Sequence, residues 1–223
     1  MITGYLDELT RIFKTVSDKR EAHFRSRGVL QDISADPSFI TAVLGKYLST
    51  RGVLNKKNYP VVAMEVASNP YDDLVVNCWI PLADRENNIP TKAIHHHGMM
   101  LLTTATIFGP GYEHWLFTWP RLVDQARELF SMEVAEKQAH PLHHVAFVDS
   151  YIAHLPLYPS AFTMTLALWS SKRPTTWRDH LKRIPILKRN AAVLRQLAAQ
   201  VGFQLAILEC LTPRLPRMIL SVR

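Results

Sequence analysis

AIHHHGMMLLTTATIF (residues 93–108) sets three consecutive histidines and a glycine ahead of an apolar, β-branched run. The run has the composition of a strand, so the histidines stand where a strand enters a core. In a strand, alternate side chains share a face, which would put His95 and His97 together and His96 on the other side. Two imidazoles at i and i+2 on the inward face of a barrel can both reach one metal ion, because the backbone has already assembled them. The alternative is a polar cluster at a loop–strand junction. A purification tag does not fit a run that is internal and three residues long.

On either side, the chain reads as more strands. YPVVAMEVAS (59–68) and DDLVVNCWIP (72–81) precede the histidines, with a turn at NPYDD and a polar loop at ADRENNIPTK (83–92). YEHWLFTW (112–119), MEVAEKQ (132–138), HHVAFVD (143–149), YIAHLPL (151–157) and FTMTLALWS (162–170) follow, and Gly109-Pro110-Gly111 is a strong turn between two of them. RLVDQAREL (121–129) reads as either a short helix or an irregular excursion. Short strands this closely spaced predict a mainly β fold, an antiparallel barrel or jelly roll.

The ends of the chain have a different period. In residues 2–50, Leu6, Leu9, Ile12, Phe13 and Val16 recur at helical spacing, and a second helix is expected over about Asp36–Tyr47, with Asp36 or Ser38 as cap and Pro37 in its first turn. After Pro174, Leu194, Leu197, Val201, Leu205 and Leu208 share one helical face, with Pro185 kinking the start. The predicted layout is a single domain: a helical N-terminal extension (1–58), a barrel (59–174) and a basic C-terminal helical segment (175–223).

Composition narrows the class. With 223 residues, 48% of them hydrophobic and 20% charged, the chain can bury one core. No apolar run is long enough to span a membrane, and the start MITGYLDELTRIFK has no secretory h-region. Two cysteines, Cys78 and Cys210, make no disulfide framework, and Cys78 reads as a small buried hydrophobe. A cytoplasmic protein is the expectation. The net charge of +7 is lopsided, at −2 over residues 1–150 and +9 over 151–223. The basic third is a solvated helix face or a docking surface for an acidic carrier protein or anionic substrate, with nucleic acid the less favoured partner. A homodimer is also plausible for a barrel with two helical flanks.

A third metal ligand must come from a later strand. His114, His140, His143, His144 and His154 are candidates, and spacing alone does not choose among them. Here the chain resembles the cupin superfamily, and within it the thiol dioxygenases of the cysteine dioxygenase type. The resemblance covers about residues 60–172 and is carried by VVNCW (75–79), Ile94-His95-His96-His97, Gly109-Pro110-Gly111, FVDSYIAH (147–154) and TLALWS (165–170). It implies a double-stranded β-helix, or jelly-roll barrel, holding a mononuclear Fe(II) on three neutral histidines, which match His95, His97 and His154. Many cupins add a Glu three or four residues after His-x-His. Met100 and Leu101 stand there, so a three-His site is implied.

The departures bear on the substrate. The family's arginine that holds a substrate carboxylate is missing from VVAMEVASN, which carries Glu65 instead. The crosslinked cysteine–tyrosine pair of some members is replaced by Leu102 and Trp169. Free cysteine is therefore not the expected substrate. Three neutral imidazoles leave a divalent ion its full charge and up to three open positions, which suits a small substrate that chelates through anionic heteroatoms, with O₂. The donors themselves do not exclude Zn, Ni or Cu. Asp149, Glu113 and backbone carbonyls are candidates to accept the second N–H of a ligand histidine.

The expected activity is O₂-dependent oxidation, with Tyr151 and His114 as the pocket residues able to handle protons. One alternative is a cupin lyase or isomerase on the same three histidines. Another is a non-catalytic barrel that meets an acidic partner through its basic C-terminal helix. Trp79, Trp115, Phe117, Tyr151, Phe162 and Trp169 are expected mainly in the core, Tyr151 being the one of them closest to a functional place, and His143 and His144 are expected in structural or rim positions.

Overall fold

The structure, a computed structural model, describes residues 2–50, 61–82 and 94–171, and the backbone of residues 218–220. It opens with four helices: α1 (Ile2–Thr15), α2 (Lys19–Arg25), α3 (Arg27–Ala35) and α4 (Pro37–Leu48). Asp36 caps α4 by accepting the Ser38 N–H at 2.9 Å, with Pro37 next, as predicted. Ten strands follow: β1 (Val61–Ser68), β2 (Asp73–Trp79), β3 (Met100–Phe108), β4 (Tyr112–Phe117), β5 (Arg121–Asp124), β6 (Leu129–Met132), β7 (Val134–His140), β8 (Val145–Val148), β9 (His154–Pro156) and β10 (Thr163–Ser171). A further short strand, β11 (Met218–Leu220), lies in the segment expected to be helical and pairs in parallel with β6. The expected polar loop at 83–92 and the helix after Pro174 fall outside the described residues.

The pairing defines the fold. In chain order, the barrel consists of β2, the His95 segment, β3, β4, β7, β8, β9 and β10. The first pairs with the last, β2 with β10, and the second with the seventh, His95 with His154 of β9. The third pairs with the sixth, β3 with β8, and the fourth with the fifth, β4 with β7. Two more pairings, β10 with β3 and β9 with β4, join these into two sheets. All are antiparallel. An antiparallel ribbon folded back on itself and rolled up gives this nesting, which is a jelly roll. The expected fold class is the observed one.

Residues 121–132 differ from both readings of them. They form a β5–β6 hairpin inserted between β4 and β7. It leaves Leu122 and Val123 exposed, as is Trp119 just before it.

The sheet β1-β2-β10-β3-β8 is covered on both faces. From β10, Met164, Leu166 and Leu168 join Leu74 and Val76 of β2 and Ala105 and Ile107 of β3 against Leu9, Ile12, Phe13, Leu30, Ile33 and Phe39 of the helices. The alternate residues Ala167 and Trp169 face the other way, packing with Leu102 and Val148. That two-faced burial explains why TMTLALWS is apolar throughout. Cys78 is buried in the helix-facing core, and burial pushes its thiol up to about 11, as expected of an inert apolar residue. Tyr151 and Phe162, by contrast, are not core, each being 42% exposed.

Two glycines hold the turn between β3 and β4. Gly109 (φ +84°) and Gly111 (φ +90°) adopt a backbone that side chains disfavour, and each lies against another chain segment. A Cβ on Gly111 would come within 2.0 Å of the His140 carbonyl oxygen. The expected turn is therefore also a close approach of two strands.

Candidate metal centre

His95, His97 and His154 converge, each offering one ring nitrogen so that all three lie within 4.8 Å of one another. Their ring centroids are 4.8 Å (His95–His97), 4.5 Å (His95–His154) and 4.4 Å (His97–His154) apart. Among the described residues, it is this group that has the geometry to hold an ion.

The local backbone differs from the simple strand expectation. Of the three consecutive histidines only His95 pairs, through an isolated bridge in which His95 N–H donates to His154 O (3.1 Å) and His154 N–H to His95 O (2.9 Å). The chain then leaves the sheet, turns at Gly98 (φ +58°) and re-enters it at Met100. His95 and His97 still share a side, and His96 is exposed, with its Nδ1 accepting the Gly98 N–H at 3.0 Å. Direct pairing places His154 opposite His95, so the third member comes from the strand next in the sheet.

The ring chemistry suits ligation. His154 Nδ1 donates to the Ile152 carbonyl at 3.0 Å, which fixes the tautomer and leaves Nε2 with its lone pair. A backbone carbonyl therefore takes the role for which Asp149 and Glu113 were the acidic candidates. Asp149 is engaged with Arg20, and Glu113 with the Trp115 indole N–H. Burial first, and then neighbouring imidazoles, push His97 and His154 down to about 3. Both are neutral at physiological pH, the form that binds a metal. Neighbouring donors on one ion lie about 3 Å apart with bonds of about 2.1 Å, and here the ring nitrogens already lie within 4.8 Å of one another. The residues fit a three-imidazole site. Trp169 walls it, edge-on to His97 at 4.4 Å.

Behind the trio, the barrel interior is polar. His114 is 2% exposed and packs edge-to-face between His154 and His140, 5.1 Å from each. His140 has no bonding capacity to spare, with Gln138 Oε1 at 3.2 Å from Nε2 and the Tyr112 hydroxyl at 2.8 Å from Nδ1. Since an amide oxygen only accepts, Nε2 carries the proton and Tyr112 donates to Nδ1. The Thr104 hydroxyl lies 3.3 Å from the Tyr112 hydroxyl. Both nitrogens of His114 are buried without a hydrogen-bond partner among the described residues. Burial, followed by His140 and His95, pushes this ring down to about 3.

The other candidates take structural places. His143 (φ +64°) lies 3.2 Å through Nδ1 from the Ser34 hydroxyl of α3, and His144 packs on His140 with centroids 4.9 Å apart. Tyr151 (φ +63°) sits on the rim, its ring 6.0 Å from that of His96, beside a shallow depression lined by Phe117, Trp119, Ile152 and Ala153.

Comparison with known proteins adds fold likenesses of low score. No protein-family model matches the chain, and no curated protein matches it in sequence. Among solved structures, a chain from the crystal structures of the DMSP lyases RdDddP and RnDddQII is 14% identical at a TM-score of 0.32, covering 50% of this chain and 47% of its own. KdgF from Halomonas sp. is 12% identical at 0.36, covering 53% and 86%. The hydroxypropylphosphonic acid epoxidase from S. wedmorenis is 10% identical at 0.33, covering 49% and 50%. This chain thus spans about half the length of the first. The jelly roll rests on the strand pairing, and the site on its own geometry. Among the described residues, no helix is long and apolar enough to cross a membrane.

Proposed function

We propose that the chain is a metal-dependent enzyme whose mononuclear metal, iron(II) by resemblance to the thiol dioxygenases, is held by His95, His97 and His154, and that it oxidises a small metal-chelating substrate with O₂. The observation that carries this reading is the convergence of three ring nitrogens within 4.8 Å, from a bridge, a loop and a strand. When bound, the metal supplies a redox-capable Lewis acid with open positions for substrate. The chain does the rest. The Ile152 carbonyl orients His154, the paired backbones of His95 and His154 hold two rings in register, and Trp169 closes the wall beside His97. With Glu65 where the family carries its arginine, the substrate's anionic groups find their counter-charge at the metal, which argues against free cysteine.

One observation favours the lyase or isomerase alternative. A buried imidazole with two unpartnered nitrogens beside His154 is a group suited to moving a proton, and His114 is that group. The Tyr151 hydroxyl, on the rim, is the second candidate for proton transfer.

Elemental analysis of untagged protein, wild type beside His97→Ala and His154→Ala, tests the site. Near-stoichiometric metal in the wild type and its loss in both variants is the expected result. Metal that is absent, or indifferent to both changes, would sink the reading. Oxygen consumption on turnover then separates oxidation from lyase or isomerase chemistry.

A further inference from the structure

The N-terminal helices reach the candidate metal centre through one ion pair. Helix α2 is pinned to the barrel by His23, which is fully buried, with Nδ1 2.7 Å from the Thr103 hydroxyl of β3 and Nε2 2.9 Å from the Ser170 hydroxyl of β10. One turn earlier on the same helix, the Arg20 guanidinium lies 2.7 Å from Asp149 Oδ2. The other carboxylate oxygen, Oδ1, accepts the Ser150 N–H at 2.6 Å and the Ser150 hydroxyl at 3.2 Å. The Asp149 carbonyl accepts the Ile152 N–H at 3.4 Å, which closes a turn. Burial alone would raise the Asp149 carboxyl, but Arg20 and Ser150 outweigh it and hold the group below the ordinary carboxylate range.

That turn touches both halves of the histidine trio. Its Tyr151 is in the left-handed region at φ +63°, where a bulky side chain persists only if its surroundings impose it. The Tyr151 N–H donates to the Gly98 carbonyl at 2.8 Å, tying the turn to the His95–Gly98 segment. The next residue, Ile152, supplies the carbonyl that receives His154 Nδ1–H.

We infer that Arg20 is a positioning residue for the metal centre: by holding Asp149 it sets the 149–152 turn, and the turn fixes the tautomer and orientation of His154. The inference gives the helical extension a part in the site. Its purpose rests on the proposed metal reading, although the positioning belongs to the metal-free chain as well. A half-exposed ion pair contributes little to global stability, so any effect on the site is separable from unfolding.

The test uses the full-length, metal-free chain with isotope-labelled histidine, in which long-range proton–nitrogen correlations report which ring nitrogen carries the proton. In the wild type, His154 is expected as the Nδ1–H tautomer. Arg20→Ala should give a mixture of tautomers with a nearly unchanged melting temperature, and Arg20→Lys, which keeps the charge, should restore the wild-type signal. Asp149→Asn should behave as Arg20→Ala does. In Co(II) titrations of the same proteins, Arg20→Ala and Asp149→Asn should weaken binding by about three- to tenfold, less than loss of a direct partner of a ligand histidine, and shift the ligand-field bands. A His154 tautomer untouched by both substitutions overturns the inference. A wild type that binds no Co(II), but whose His154 tautomer still depends on Arg20, would fail the metal reading and uphold the positioning.

Discussion

A buried imidazole with neither nitrogen bonded is a cost to the fold. Leaving a buried polar group unmatched loses about 1–3 kcal/mol of desolvation free energy, and His114 carries two such atoms. Replacing it with an apolar residue of similar volume removes that cost. His114→Leu is therefore expected to raise the stability of the metal-free protein, by about 1 kcal/mol in urea unfolding, while turnover falls. A destabilised His114→Leu protein would mean that the ring has a bonded partner, such as a buried water. Other residues were only partly legible. His95 and His97 stood out by their spacing, whereas His154 was singled out by the family pattern alone, since spacing did not choose among the later histidines. His23 and Arg20 did not, because their partners Thr103, Ser170 and Asp149 are remote in sequence and become neighbours only when helix and barrel dock.

At the scale of elements, turn chemistry was the most readable signal. Gly109-Pro110-Gly111 was expected to separate two strands, and it does, but the sequence could not show that Gly111 lies against the His140 backbone. Gly111→Ala would place a Cβ 2.0 Å from a carbonyl oxygen while also straining φ +90°. The nearest atoms, His140 O and C and Pro141 Cα, all belong to backbone. A loss of about 3 kcal/mol or more, or failure to fold, is expected from cumulative backbone strain and displacement. A Gly111→Ala melting temperature close to wild type would show that β4 and β7 can separate there. Residues 121–132 were harder, because RLVDQAREL offers helix formers while the β5–β6 pairing that wins is tertiary. The His95 segment was misjudged for a related reason. The histidines and the apolar run after them were read as one strand, so the turn at Gly98 was not recognised as a break.

At the scale of the molecule, the helices are one wall of the main core. Met64, Val66, Leu74, Val76, Ile107, Leu166 and Leu168 are buried against α1–α4, each by 9% exposure or less. Full burial of such a side chain is worth about 1.5–3 kcal/mol, so the helix-facing surface of the sheet is comparable in value to the whole of the roughly 5–15 kcal/mol that a domain retains. A chain lacking residues 1–50 should consequently be recovered as aggregate or molten protein rather than as a soluble barrel. Near-ultraviolet circular dichroism and size-exclusion chromatography would report this. A monomeric truncate with native tertiary signal would show that the sheet can close without its helical cover.

Acid should also unfold the whole molecule, because its buried histidines are neutral. Burial, together with nearby Lys19, pushes His23 down to about 3, and His97, His114, His140 and His154 are lowered to between about 3 and 4, with burial the largest cause in each. A histidine whose folded pKa lies below its ordinary value near 6.5 binds its proton more readily when unfolded. Its stabilising contribution is thus complete above about pH 6.5 and lost as pH falls toward the folded value. For His23, fully buried and bonded on both nitrogens, the slope is about 1.4 kcal/mol per pH unit, or roughly 2 kcal/mol lost by pH 5. The four interior histidines act in the same direction. Urea midpoints of the metal-free protein should therefore fall steeply from pH 7 to pH 5. His23→Gln, which keeps an uncharged donor and acceptor at the position, should flatten the slope by about one proton. The choice of Gln matters: it separates the ionisation of His23 from the hydrogen bonds that dock α2. A variant slope equal to that of the wild type would mean that His23 takes up its proton as readily in the folded protein as in the unfolded one.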